Sequence, residues 1–216
     1  MGFQDPWLYI FAFHKCIGKI QWHVLDLTHF SWHAIPRMPC IDKVCPHGFR
    51  CVSFPFEGSL FVCGSVVFDA DCPLNLVMTF NVQKNCWPVM KKMVTTRSFF
   101  ASGVREGWTG SSAVIYGHLF VVTEHERTKL KVYDTNNDSW ITVDGPPLPE
   151  QICKPFSVNC NNSKIYVVGR NLHVAVGCIL RLNTENNLCF SVHWQVVEAP
   201  QVFSDLAPSS IQVLFA

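Results

Sequence analysis

The densest cluster of metal-binding residue types in the sequence is formed by Cys40, Cys45, His47 and Cys51. A structural zinc site needs four such ligands converging on one tetrahedral point, and the cysteines usually come in tighter pairs from a single knuckle. Here four residues separate the first two cysteines, and Cys51 lies in a stretch with the pattern of a strand interior. We therefore expect a loop with buried cysteines, and we predict no metal and no other cofactor.

The other motifs that could carry catalysis are incomplete. His125-Glu126 does not continue to the second histidine of a metalloprotease helix, and Gly107-Trp-Thr-Gly110 is too sparse to cradle a phosphate. The sequence contains no Gly-x-Ser-x-Gly nucleophile elbow. These stretches have the pattern of surface loops and strand starts, so we predict a protein that is not an enzyme.

The composition favours a protein built from packed sheets. Of 216 residues, 49% are hydrophobic and 13% are aromatic, but only 15% are charged, which is low for an ordinary globular surface. The formal net charge is +1, so the sequence indicates no broad basic surface for nucleic acid.

The eleven cysteines are scattered through strand-like stretches and do not form a disulfide framework. Met1 to Pro6 lacks the basic start of a secretory leader, and the apolar run Trp7 to Phe13 is too short to span a bilayer. We therefore predict reduced thiols in an intracellular protein, cytoplasmic or nuclear, without a membrane partner.

The stretch Gly117 to Pro149 contains a complete structural unit. Leu119 to Thr123 has the apolar pattern of a buried strand, and Lys129 to Asp134 alternates as a second strand. The Asn and Asp residues that follow favour a turn before a third strand at Trp140. A proline-rich segment then ends the unit, because proline does not fit a central strand.

The same unit recurs along the chain, with tryptophans spaced by 55, 53 and 54 residues. The repeated features are a strand phrase that ends in a small or polar residue, a hydrophobic residue followed by Asp or Asn, and the tryptophan. A period of about 50 residues with these features predicts kelch-type blades of four antiparallel strands, and hence an all-β propeller of about four blades. The strand phrases begin at Leu8, Leu60, Leu119 and Ile165, with Gly64 and Gly169 at two strand ends; the pairs are Leu25-Asp26, Phe80-Asn81, Tyr133-Asp134 and Leu182-Asn183; the tryptophans are Trp32, Trp87, Trp140 and Trp194.

The predicted units cover approximately 7–39 together with 211–216, 48–93, 107–148 and 154–197. The first unit lacks an inner strand, so we expect the C-terminal strand Ile211 to Ala216 to pair with Trp7 to Phe13 and close the first blade. An orphan strand phrase at 97–104 is followed at once by a second opening phrase. This favours the loss of one or more repeats between Val104 and Arg105, which would leave an incomplete or open ring; a long loop is the alternative.

Three phrases resemble the kelch part of plant F-box/kelch-repeat proteins: Asp144 to Phe156, Tyr166 to Gly177, and Arg105 to Ser112. The resemblance covers the chain from Trp7 to Ala216. It implies a propeller that selects the protein to be ubiquitinated, joined in family members to an F-box that docks on a cullin-type ubiquitin ligase. No F-box precedes Trp7, so we expect this ligase as a partner only of a longer form that supplies one.

We expect a protein-binding module whose partner the sequence does not identify, because propellers bind through loops at the blade ends. Two alternatives remain open: a truncated kelch fragment without function, and a copper enzyme similar to galactose oxidase. The copper site would need tyrosine ligands, and all four tyrosines fit repeat positions, which disfavours it. The candidate contact residues follow the same strand of their units: His14, Lys15, Asp69, Asp71, His125, Glu126, Arg127, Asn171 and His173.

Overall fold

The structure, a computed structural model, describes residues 5–39, 49–54, 58–64, 77–88, 111–123, 128–183 and 188–215. These residues form antiparallel sheets and two short 3-10 turns, Arg170–Leu172 and Gln201–Phe203. The chain divides into two compact units, Met1–Val104 with Asp205–Ala216, and Arg105–Ser204. In the described part of the chain, no helix is long and apolar enough to cross a membrane.

In chain order the strands are β1 (Pro6–His14), β2 (Ile20–Asp26), β3 (Trp32–Ala34), β4 (Phe49–Phe54), β5 (Ser59–Gly64), β6 (Val77–Asn81), β7 (Ser112–Ile115), β8 (His118–Val122), β9 (Leu130–Asp134), β10 (Ser139–Thr142), β11 (Ser157–Asn161), β12 (Lys164–Val168), β13 (Val174–Asn183), β14 (Leu188–Val197) and β15 (Leu206–Phe215). They make four sheets with the orders β15-β1-β2-β3, β4-β5-β6, β7-β8-β9-β10 and β11-β12-β13-β14. The prediction of an all-β chain with four blade-like sheets is confirmed. The orphan strand predicted at 97–104 lies outside the described residues.

The C-terminal strand completes the first sheet. Strand β15 runs antiparallel to β1, with Leu8 opposite Val213 and Ile10 opposite Ile211. The predicted closure of the first blade is therefore confirmed. The strand begins earlier than the predicted Ile211, since β15 already starts at Leu206 and the register shifts beside Phe11.

The two sheets of the first unit share an aromatic core. Phe11 lies edge-on to Phe49 of the second sheet, with ring centroids 5.6 Å apart, and Tyr9 approaches Phe80 at 6.0 Å. A polar side chain also joins β15 to β4. Gln212 Nε2 donates to the Cys51 carbonyl at 3.1 Å, and its Oε1 accepts from the Ser53 amide at 3.2 Å. One amide side chain thus bonds to the strand backbone of the next sheet.

The third and fourth sheets, in the second unit, enclose a separate core. Fully buried Phe120 and Ile165 lie in it, together with Val132 and Ala175. Between the neighbouring strands β7 and β11, the Cys160 thiol donates to the Val114 carbonyl at 3.1 Å. As in the first unit, a side chain bonds to the backbone of the neighbouring inner strand.

The repeated tryptophans hold the same register position in their sheets. In the first sheet Leu8 pairs with Leu25, and Leu25 pairs with Trp32. In the fourth sheet Ile165 pairs with Gly177, which pairs with Trp194.

The other two sheets repeat this arrangement. Trp140 lies opposite Tyr133 in the third sheet. In the second sheet Leu60 pairs with Phe80, whose ring lies 5.1 Å from that of Trp87. The sequence period therefore corresponds to a register that each sheet repeats.

In each of the first three sheets, the turn before the tryptophan is held by one side chain, either a carboxylate or the amide of an asparagine. Asp26 accepts from the amide of Thr28 at 2.7 Å, Asn81 from that of Lys84 at 2.8 Å, and Asp134 from that of Asn136 at 3.0 Å. Short polar side chains suit this role because they accept hydrogen bonds from nearby backbone amides.

The fourth sheet departs from the repeat, and the predicted pair Leu182-Asn183 is wrong as the equivalent of Tyr133-Asp134. The residue opposite Trp194 is Gly177, so the equivalent pair is Gly177-Cys178. Strands β13 and β14 continue to the pair Asn183–Leu188. The hairpin is longer than in the other sheets, and Asn183 lies at its distal end.

Candidate functional site

The loop between β12 and β13 has a closed conformation. The Gly169 amide donates to the His173 carbonyl at 3.0 Å, and the Leu172 amide donates to the Gly169 carbonyl at 3.1 Å. The loop therefore joins its own ends with backbone hydrogen bonds, and we name residues 169–173 the β12–β13 loop.

Two consecutive residues of this loop have a left-handed backbone. Asn171 has a φ of 62° and Leu172 a φ of 60°. A Cβ disfavours this region for every residue except glycine; asparagine tolerates it because its short polar side chain can hydrogen-bond locally, and leucine has no such compensation. The Leu172 side chain is completely buried, and the burial of its apolar surface offsets the backbone strain. Strained residues that the surrounding structure holds in place are typical of binding and catalytic loops.

The glycine that begins the loop is required by a neighbouring segment. A Cβ added at Gly169 would lie 2.7 Å from the Cys153 carbonyl oxygen, so no larger residue fits without a shift. The same carbonyl accepts from the Arg170 amide at 2.7 Å. The segment after the third sheet is thereby fixed against the β12–β13 loop.

His173 connects the loop to the chain after β14. The Ala199 amide donates to its Nδ1 at 3.1 Å. Nδ1 must therefore accept, and the single ring proton of the neutral imidazole lies on Nε2. The half-buried ring can offer this Nε2–H as a donor.

Three chain segments thus form one surface of the second unit, which we name the loop surface: residues 150–154, the β12–β13 loop, and residues 198–199. Its exposed charged side chains are of both signs, Glu150 and Glu198 against Lys154 and Arg170. A rigid surface with mixed charges and hydrogen-bonding groups can bind a polar protein surface or peptide.

Of the residues predicted to bind a partner, the structure brings Asn171 and His173 into this surface. His14 is the last residue of β1 and Lys15 follows it, both in the first unit, where the Lys15 amide donates to the Asp205 carbonyl at 2.9 Å. Five more, Asp69, Asp71, His125, Glu126 and Arg127, lie outside the described residues.

Sequence reasoning missed Arg170, Lys154 and Glu198 at the loop surface. The signal for Arg170 was its place directly after Gly169, where the repeat predicts the end of a strand. Lys154 and Glu198 come from segments that carry no repeat feature, and only the fold brings them near the loop.

The buried ionisable groups near the second core have structural roles. Burial raises the pKa of Tyr166 to about 12, so its hydroxyl stays protonated at neutral pH. Burial also raises the pKa of the Cys160 thiol, which makes a reactive thiolate unfavourable. Among the residues with described positions, no three His, Cys, Asp or Glu side chains form a group that could hold a metal ion.

Comparisons with known proteins point to one group of relatives. An F-box/kelch-repeat protein of Arabidopsis thaliana is 44% identical over 301 residues, a match that takes in 100% of this chain and 75% of the relative. The F-box protein AFR of the same plant is 28% identical over 300 residues, with 100% of this chain and 80% of the relative covered. A further F-box/kelch-repeat protein of this plant is 24% identical over 202 residues, with coverages of 89% and 48%. No protein-family model matches the sequence.

The alignment with the first relative is longer than the chain, so it contains gaps on the side of this chain. It extends over 301 positions, 85 more than the 216 residues of this chain, although the whole chain takes part. Together, the relatives and the four sheets confirm the predicted fold class, a kelch-type β-propeller with about four blades.

Proposed function

The chain belongs to the F-box/kelch-repeat protein family, as its sequence resemblance predicted, and we propose that it is a protein-binding module that recognises the substrate of a ubiquitin ligase. Its relatives carry F-box and kelch in their names. A link to a cullin-type ligase is proposed only for a form of this protein that carries an F-box.

The observation that carries this proposal is the left-handed pair Asn171–Leu172 in a loop closed by backbone hydrogen bonds. A loop held in one conformation loses little entropy when it binds a partner. The buried Leu172 keeps Arg170 and His173 in fixed positions on the loop surface.

The chemistry of the loop surface favours a protein partner. Arg170, Lys154 and Glu150 are all exposed, so the surface offers both signs of charge. The guanidinium of an arginine can bond a carboxylate with two parallel hydrogen bonds. We therefore expect a partner that places an acidic side chain against Arg170.

A capture experiment with matched variants tests the assignment. The immobilised chain is compared with the double variant Arg170→Ala/His173→Ala and with Lys84→Ala, which removes one positive charge from an exposed turn of the first unit. We expect one or more proteins from a plant extract to be retained by the native chain and by Lys84→Ala but lost with the double variant. Equal retention by all three would contradict the loop surface as the binding site.

The alignment with the first relative has 85 positions more than this chain has residues. This favours a second candidate, a truncated kelch fragment without function. The two compact units meet in sequence at Val104 and Arg105, where the repeat phrases predict a loss, and we place the missing residues there. A fragment with bare strand edges is expected to aggregate. Monomeric protein with one cooperative thermal transition would contradict this candidate, whereas aggregation at low concentration would support it.

A further inference from the structure

The β13–β14 hairpin extends beyond the rest of the fourth sheet. Strand β12 pairs with β13 as far as Lys164 opposite Cys178, whereas β13 and β14 remain paired to Asn183 opposite Leu188. Residues 179–183 of β13 therefore continue past the end of β12. One further hydrogen bond, from the Ile179 amide to the Ser163 carbonyl at 2.8 Å, is the last one on the β12 side of β13 in the described part of the chain.

The outer strand of this extension is held by the third sheet. Phe190 lies 5.1 Å from Phe120 and 5.4 Å from His118, ring centroid to ring centroid. Asp144 pairs with β14 through two backbone hydrogen bonds. The Asp144 amide donates to the Phe190 carbonyl at 2.9 Å, and the Val192 amide donates to the Asp144 carbonyl at 2.8 Å. The extension is thus a packed element, and its β14 edge is already occupied.

The β13 edge of the extension has no such partner among the described residues. The Ile179 amide points toward the β12 side, and alternate residues of a strand point their amides and carbonyls the same way. The backbone groups of Arg181 therefore face this side, beyond Lys164, the first residue of β12. An unpaired edge of this kind is a template for another strand.

The side chains along this edge are apolar on one face and basic on the other. Leu180 is 60% exposed and Leu182 is 38% exposed, and both lie on the same face because strand side chains alternate. Arg181 is exposed on the opposite face, and no other described residue accepts a hydrogen bond from its side chain or pairs with it. The sequences of β11, β12, β13 and β14 contain Lys164 and Arg181 but no Asp or Glu.

From this edge we propose a second binding site: the free β13 edge at Leu180–Leu182 accepts an extended segment of a partner protein as an added strand. The segment alternates apolar residues, which cover Leu180 and Leu182, with acidic residues, one of which pairs with Arg181. Backbone hydrogen bonds supply affinity in this mode, and the alternating side chains supply specificity. The site lies at the far end of β13 from the β12–β13 loop, so its variants leave the proposed loop surface unchanged.

A fluorescent nine-residue peptide that alternates valine with glutamate is the probe. Its binding to the full chain is measured by fluorescence polarisation. Two peptides of the same sequence are measured beside it, each N-methylated on a different one of the two alternating sets of residues. We expect one N-methylated peptide to bind as the parent does and the other to bind at least about tenfold more weakly, because only one set of amides can face β13. Equal weakening by both, or no binding of the parent peptide, would overturn the proposal.

Variants of the chain locate the site independently. Arg181→Pro removes the outward amide at an edge position where proline is tolerated, and we expect it to weaken binding at least about tenfold. Arg181→Gln keeps the amide and removes the charge, so the loss is expected to be about two- to fivefold and to disappear at high salt. Unchanged binding to Arg181→Pro would place the peptide elsewhere and overturn the proposal. Dimerisation of the chain through this edge, abolished by Arg181→Pro, would assign the edge to a second copy and overturn the proposed partner.

Discussion

The indole of Trp194 lies directly against the backbone of Gly177, its cross-strand neighbour. A Cβ added at Gly177 would lie 2.6 Å from Cζ3 of Trp194 and 2.7 Å from Cγ2 of Ile165. In the other sheets the equivalent positions hold Leu25, Phe80 and Tyr133. The fourth sheet therefore needs glycine where its tryptophan turns inward, toward the core it shares with the third sheet.

Gly177→Val is expected to lower the free energy of unfolding by about 1–3 kcal/mol, since extra methyl groups would overfill this site. Urea unfolding followed by tryptophan fluorescence measures the loss. In a Trp194→Leu background the same substitution is expected to cost clearly less, because the ring that it meets is gone. An equal cost in both backgrounds would show that Trp194 does not enforce the glycine.

Gln212→Ala is expected to destabilise the first unit by about 1–3 kcal/mol, because it leaves the Cys51 carbonyl and the Ser53 amide without their side-chain partner. Denaturant unfolding measures the change. Gln201→Ala, at an exposed position of the second unit, serves as the matched control and is expected to have little effect. Similar losses for the two variants would contradict the role assigned to Gln212.

The pair Asp26 and His29 is expected to make stability depend on pH. His29 Nδ1 donates to Asp26 Oδ2 at 2.8 Å, which raises the pKa of His29 above its ordinary 6.5. Burial alone would raise the pKa of Asp26, but the hydrogen bonds from His29 and Thr28 outweigh burial and hold this pKa below 3.8.

The histidine contribution is fully present below pH 6.5 and is lost as the pH rises through the raised pKa of His29. The carboxylate contribution is present above pH 3.8 and is lost as the pH falls through the lowered pKa of Asp26. His29→Ala is therefore expected to lower the melting temperature more at about pH 5.5 than at about pH 8.5. An equal effect at both values would show that the ion pair does not contribute.

Phe190→Ala is expected to cost about 3–5 kcal/mol, the usual range for a buried aromatic ring, and to release the hairpin extension from the third sheet. Hydrogen exchange at residues 189–192 should become faster than in the native chain. Val202→Ala, at a side chain that is 80% exposed, should leave both quantities almost unchanged. Slow exchange retained in Phe190→Ala would mean that the backbone bonds of Asp144 suffice to hold the hairpin.

The repeated features of the sequence predicted the sheets because each feature has a fixed structural role. Leu8 and Ile165 begin phrases that lie in the same register relative to Trp32 and Trp194. The closing strand was predictable since Ile211 to Phe215 is apolar except for Gln212 and has no unit of its own. Asp26 and Asp134 were recognisable only as members of the repeated hydrophobic-Asp pair, and the structure adds that both hold the turn that follows.

The long hairpin could not be predicted from the spacing. Its added length separates Asn183 from Trp194, yet the tryptophan spacing remains 54 residues because the connections before β13 are correspondingly short. The role of Gln212 was also hidden, since a polar residue in a strand normally indicates an exposed face. The left-handed Leu172 depends on burial by distant segments, which no local pattern reveals.

The account depends most on the pairing of β15 with β1, because this pairing shows that the two ends of the chain build one blade. Hydrogen exchange of the full chain and of a chain ending at Ser204 tests it directly. In the shortened chain we expect the amides of β1 to exchange at least about tenfold faster, while those of β12 in the second unit keep their protection. Protection of β1 that is unchanged without β15 would contradict the pairing and the blade it completes.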